Sequence, residues 1–167
     1  MRRYSGAVDK TPRWLSADER AAWLALVSLS IQLPAALDQR LRKAAGIGLV
    51  DYHVLAGLSD APNRTLRMSV LAEFAQASLS RLSQMVGRLE KRGWVSRGPD
   101  PSDGRYTLAT LTAEGLAALE DLAPPHVEDV RELVFDSLSE DQVAQLHQIS
   151  QQILAVVKPG HVPGITT

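Results

Sequence analysis

Apolar residues recur every three or four positions along most of the chain, the spacing of amphipathic helices. From Ala17 the residues Trp23, Leu24, Leu26, Val27, Ile31, Leu37 and Leu41 predict one long helix, reaching about Ala44. Ser16 and Glu19 have capping-box spacing at its start. Pro34 lies inside the pattern and predicts a kink or a division, because it lacks an N–H and crowds the preceding turn. After "GIGL", Asp51 is expected to open a shorter helix that stops at Pro62-Asn63. Leu66–Met68 reads as a short extended piece, and Ser69 as the cap of a helix through Phe74.

A turn over Gln76–Ser78 leads into a helix over Ser78–Arg92, which Gly93 should end as a C′ glycine. The pattern then changes period. "WVSR" and "YTLATL" alternate as strands do, and Asp103-Gly104 between them is a strong turn pair. Thr112 should cap a helix carrying Leu116, Leu119 and Leu122. "APP" at 123–125 suggests a bend before the helical pattern resumes at Val127, Val130, Leu133 and Val134. Ser139 and Gln142 form a second capping box, followed by Val143, Leu146, Ile149, Ile153 and Val157. The segment from Lys158 onward, rich in Gly and Pro, is expected to be flexible. A helix–turn–helix followed by a β-hairpin is the winged-helix order.

The Ser78–Arg92 helix has two faces. On a helical wheel centred on Leu82, the residues Leu79, Met85, Val86 and Leu89 lie within about 60°. Ser80, Arg81, Gln84, Gly87 and Arg88 lie opposite. Small, amide and guanidinium side chains on one face suit entry into a major groove, where Gln reads adenine and Arg reads guanine or holds phosphate. Taken alone, the same face also suits solvent. The hairpin adds Arg105 beside its tip, placed to enter a narrow minor groove, with Asp103 two residues away as its partner.

Composition sharpens this picture. The 167 residues are 45% hydrophobic but only 5% aromatic, which favours a helix-rich fold. There is no cysteine, so disulfides, thiolate metal sites and cysteine-based peroxide sensing are excluded. The N-terminus lacks the apolar core of a secretory signal, and a cytoplasmic location is expected. Net charge is −1, but it is unevenly spread: residues 64–105 carry +4, residues 106–167 carry −7 and residues 1–63 carry +2. A basic middle within a neutral whole is the electrostatic footprint of a polyanion binder.

At the level of motifs the chain resembles the MarR family of bacterial transcriptional regulators, in its actinobacterial-type branch. The resemblance rests on "LAEFAQASLSRLSQMVGRLEKRGWVSR", the segment "DPSDGRYTLATLT" and the following "AEG", and it extends over roughly residues 15–157. It implies a mostly α fold with a small β-hairpin wing. The winged helix-turn-helix would cover 49–111, a helical dimerisation region 15–48 and 112–157, and flexible ends 1–14 and 158–167. It further implies a homodimer that binds a pseudo-palindromic operator and mostly represses. Carried onto this chain, Ser78, Ser80, Arg81, Gln84 and Arg88 face DNA, with Arg105 as the wing arginine and Asp103 as its partner. The dimer interface would include Leu24, Val27, Leu146, Ile149 and Ile153, stripes too extensive for one thin helical layer to bury. Two departures matter. Gln84 stands where the branch commonly has a histidine, which bears on operator preference. The wing has Pro99-Asp100-Pro101-Ser102 where a cysteine often lies, which argues against wing oxidation as a signal.

Many members of that family release DNA when a small aromatic or anionic effector binds between the dimer helices and the winged domain. By position, Trp23, Tyr52 and His53, with Trp14, are candidates to line such a cleft; as ordinary core or surface residues they need no ligand. The four histidines, at 53, 126, 147 and 161, form no i, i+4 pair, so no metal or other cofactor is expected. No nucleophile elbow, P-loop, HExxH or Rossmann fingerprint is present, so no enzyme is expected. Two alternatives stay open: a winged-helix module for protein–protein contact, and a ligand-dependent activator.

Overall fold

The computed structural model describes residues 12–157. The described residues divide into two compact units, one ending at Ala35 and the other beginning at Ala36. The tail from Lys158 and residues 1–11, both expected to be flexible, lie outside the described residues.

Helix α1 spans Ala17–Ala45. Its start is the expected capping box: the Ser16 N–H donates to Glu19 Oε2 at 2.7 Å, and the Glu19 N–H donates to Ser16 Oγ at 3.1 Å. Pro34 does not divide the helix, which continues as one element to Ala45. In a helix of this length the proline removes one backbone hydrogen bond and leaves the remaining ladder in place. The division into units falls just after it. Within the first unit Trp14, Trp23, Leu24, Leu26, Leu29 and Ile31 are all exposed. By length and composition alone, α1 is apolar enough to cross a membrane, with an 18-residue mean hydropathy of 1.4.

The second unit holds the core. Helix α2 runs Leu49–Ser59 and starts two residues before the expected Asp51. Gly48 is its N-cap, and Asp51 takes the third helical position, where its carboxylate accepts the Gly48 N–H at 3.1 Å. An acid there satisfies a free donor and opposes the positive end of the helix dipole. Strand β1 is Thr65–Arg67, and α3 follows at once over Met68–Phe74 with Arg67 as its N-cap, so Ser69 is inside the helix and not its cap. Helix α4 is Leu79–Lys91, β2 is Val95–Asp100 and β3 is Asp103–Leu111. The three strands form an antiparallel sheet in the order β1-β3-β2.

The hairpin turn is Pro101-Ser102, not Asp103-Gly104, since Asp100 pairs with Asp103. Asp100 explains the shift. Its Oδ1 accepts the Ser102 N–H at 2.9 Å and the Ser102 hydroxyl at 2.6 Å. An Asp at the first turn position followed by Pro is a strong turn former, and it takes precedence over the later Asp-Gly pair.

Helix α5, Ala113–Val130, is capped by Thr112, whose hydroxyl accepts the Gly115 N–H at 2.9 Å. Pro124 and Pro125 lie within it without ending it, and a π-helical turn follows over Arg131–Phe135. Helix α6 spans Glu140–Val157 behind the expected Ser139–Gln142 box.

The core is one cluster drawn from α2, α3, α4, the sheet and α5. Val54, Leu55, Leu58, Leu71, Leu82, Val86 and Ala109 have no exposed surface. Helix α6 contributes no buried residue, and Leu146, Ile149, Ile153 and Leu154 stay exposed along it.

Candidate nucleic-acid interface

The turn before α4 is set by Gln76, which adopts a left-handed backbone conformation with φ of 50°. Ser78 then caps α4, its hydroxyl accepting the Arg81 N–H at 3.2 Å. At the other end Gly93 has φ of 76°, as expected of a C′ glycine. Leu82, Met85, Val86 and Leu89 are buried as the wheel predicts. Leu79 is the exception, at 54% exposure. It is the first residue of the helix.

Ser80, Arg81, Gln84 and Arg88 lie on the exposed side of α4. Arg88 is engaged from below, where its Nη2 donates to Asp51 Oδ1 at 3.0 Å. Arg81, Gln84 and Arg88 line a cavity of about 270 Å³ together with Asp38, Arg42 and Asp51. Three guanidiniums and an amide around one recess, on the face expected to meet DNA, form a surface suited to phosphate and base edges.

The wing is tied to α4. Arg97 on β2 donates to Glu90 Oε2 from Nε at 3.1 Å and from Nη2 at 2.6 Å, and its Nη1 donates to Ser83 Oγ at 3.2 Å. This bracing holds Glu90's carboxyl below its usual range, chiefly through the Arg97 hydrogen bond. At the tip, Arg105 and Asp103 form the expected pair, Nε–Oδ1 at 2.9 Å and Nη2–Oδ2 at 2.6 Å. The Arg105 side chain is 83% exposed. A two-pronged carboxylate contact restricts the guanidinium without covering it.

Sequence reasoning missed a second tie. Arg67 on β1 donates from Nε to Asp100 Oδ2 at 2.9 Å, and its guanidinium lies over the Tyr106 ring at 4.3 Å. Asp100 is buried, and its pKa is lowered to about 2, first by the Ser102 hydroxyl and backbone and then by Arg67. The missed signal was the Asp-Pro-Ser run, whose turn-closing carboxylate is also an ion-pair partner.

Tyr52 and His53 belong to the second unit. The Tyr52 ring packs 4.3 Å from the His126 ring at a 47° tilt, and its centre is 6.2 Å from that of His53. His126 Nδ1 is buried and has no hydrogen-bond partner among the described residues. Partial desolvation lowers the pKa of both histidines, although His53 keeps an exposed face; His126's charge adds to the effect on His53, and Asp129 opposes it on His126. Arg40, far away in sequence, bridges Asp129 at 2.7 Å and Glu132 at 2.6 Å through its Nη1, on the same stretch of chain that carries His126. Trp23 belongs to the first unit, where it lines an apolar hollow with Trp14, Leu15, Arg20 and Leu24. Among the described residues no group of three or more histidines or acids is placed to hold a metal; His161 lies outside them.

Comparison with known proteins bears on the family and the fold. A family model described as the MarR family matches residues 45–105, from the end of α1 to the wing arginine. The crystal structure of Sco3205, a MarR family transcriptional regulator from Streptomyces coelicolor in complex with DNA, is 40% identical, with a TM-score of 0.84 over 93% of this chain and 97% of that one. AbsC, a MarR family regulator from the same organism, is 32% identical, with a TM-score of 0.81 over 88% of this chain and 99% of that one. The transcriptional repressor MprA of Escherichia coli is 28% identical over 116 residues, which is 70% of this chain and 65% of MprA. The match thus spans just under two-thirds of that repressor's length. With Sco3205 matched over nearly its whole length and the helix–turn–helix and wing both in place, the chain belongs to the MarR family.

Proposed function

We propose that this protein is a sequence-specific DNA-binding transcriptional regulator that acts as a homodimer, represses from a pseudo-palindromic operator and has no enzymatic activity. The observation that carries the reading is the joint presentation of an exposed polar and basic α4 face and an exposed, Asp103-restrained Arg105 on one braced helix–wing unit. Sco3205, a relative of the same fold, has been crystallised with DNA. The exposed apolar rows of α1 and α6 support a second copy as partner, since a water-soluble monomer would leave them uncovered. On this reading the apolar stretch of α1 serves protein contact and not lipid, and the protein acts in the cytoplasm.

The residues Tyr52, His53 and His126 are where a small aromatic or anionic effector would bind. The tilted Tyr52–His126 pair offers an aromatic surface, and His126 Nδ1, without a partner among the described residues, would gain one from a ligand that parts the rings.

Selection of bound fragments from randomised duplex DNA, followed by fluorescence anisotropy at two salt concentrations, tests the proposal. An inverted repeat bound by dimer is expected, with affinity falling ~10³–10⁵ between about 50 and 200 mM salt for ~6–10 phosphate contacts. A folded dimer that selects no sequence and shows a flat salt response would mean a protein-contact module instead.

A further inference from the structure

We propose that Asp51 is a positioning residue for DNA recognition, holding Arg88 in its DNA-facing place; this rests on the DNA-binding reading above. Asp51 lies in the first turn of α2, 37 residues before Arg88 in the chain. Its side chain is only 10% exposed, whereas that of Arg88 is 60% exposed. One carboxylate oxygen is taken by the Gly48 N–H at 3.1 Å, which fixes the side chain against the start of α2. The other accepts from Arg88 Nη2 at 3.0 Å. A single hydrogen bond engages one edge of the guanidinium fork and leaves the others open to an incoming nucleic acid.

The neighbouring groups reinforce the arrangement. Asp38 Oδ1 accepts the Leu49 N–H at 2.9 Å, and its other oxygen holds Arg42 at 2.6 Å. Two acids therefore secure two successive N–H groups at the start of α2, and each presents one arginine to the same recess. Gly48 permits this closeness: a side chain there would meet Asp38 Oδ1 at 2.8 Å and Arg42 Nη2 at 2.9 Å. Asp51 is too buried to meet DNA itself and too acidic to attract it. Its contribution to binding passes through Arg88, whose long side chain would otherwise sample many rotamers and lose that freedom on binding.

The test is a double-mutant cycle on the full-length protein with its selected duplex, at a temperature where every variant is folded by circular dichroism. Asp51→Asn keeps an acceptor for Gly48 but turns the charge off. Arg88→Ala removes the partner. Each single change is expected to weaken binding ~5- to 100-fold. The double variant should bind no more weakly than Arg88→Ala alone, because a positioning residue has nothing left to position. Asp51→Glu, which keeps both the charge and an acid suited to that helix position, moves the carboxylate by one methylene. It should alter binding when Arg88 is present and leave the Arg88→Ala background unchanged. Losses that multiply in the double variant would overturn the proposal, as would an Asp51→Asn protein that binds like wild type. Failure of the wild-type protein to bind any duplex would instead defeat the DNA-binding reading itself, and this assignment with it.

Discussion

The α-carbon of Gly115 lies against the carbonyl oxygen of Trp94, so closely that a methyl group placed there would overlap it and would also meet Leu111 Cδ1 at 2.8 Å. The same carbonyl accepts the Thr112 N–H at 3.0 Å, while the Thr112 hydroxyl donates to the Gly93 carbonyl at 2.7 Å. Threonine and glycine three residues apart thus dock the start of α5 onto the segment between α4 and the wing. Gly115→Ala should cost about 3 kcal/mol or more, because the obstacle is backbone and cannot turn aside. Urea unfolding checks it; an unchanged midpoint would show that the segment gives way.

Arg105→Ala should weaken binding to most duplexes by ~1–3 kcal/mol and reduce the salt slope by about 1, while leaving the preferred sequence in place. Gln84→Ala should change that sequence, by ~1–3 kcal/mol for each base whose edge the amide reads. Parallel fragment selection with both variants separates the two roles. Identical preferences for wild type and Gln84→Ala would remove Gln84 from base reading.

Asp100 has a pKa of about 2, below the ordinary 3.8, so the stability it contributes is complete above that ordinary value and is lost as pH falls towards about 2. Asp100→Asn should lower the melting temperature near neutrality and flatten its acid dependence between about pH 4 and pH 2. Parallel melting curves for the two proteins would reveal a wing turn that does not depend on this charge.

The half-buried His126 and the more exposed His53 both titrate below the ordinary 6.5, desolvation being the main cause. Their neutral forms are favoured in the folded state. Stability should therefore hold above about pH 6.5 and fall as pH drops below it, because the unfolded chain takes up protons first. The fall should be smaller in His126→Phe, which keeps the ring against Tyr52. Thermal melts at about pH 7.5 and pH 5.5 measure the difference.

Ile149→Asp or Ile153→Asp should yield a folded monomer that no longer binds the selected duplex tightly. Both side chains are exposed on α6, at 54% and 42%, so the change costs the isolated chain little. Sedimentation velocity decides it, and a dimer carrying either substitution would move the interface elsewhere.

Local chemistry was legible along the chain. The Ser16–Glu19 and Ser139–Gln142 boxes, the Thr112 cap, the Gly93 terminus and the buried stripe of α4 depend on residues a few positions apart. The pair between Asp103 and Arg105 belongs with them. Errors arose where two local signals competed. Asp100-Pro101 took the hairpin turn from Asp103-Gly104, and Gly48 took the start of α2 from Asp51.

The sequence by itself determined most of the elements, the Ser16, Ser78, Thr112 and Ser139 caps and the two faces of α4, because those follow from period and short-range hydrogen bonding. Only the tertiary structure decided which arginine meets which acid across distant elements. Arg88 finds Asp51 across 37 residues, and Arg67 finds Asp100 across 33. A guanidinium on a long, flexible arm has no preferred partner until packing of the apolar core brings the elements together. The core thus converts a scattered set of basic residues into a surface with some arginines braced and others presented outward.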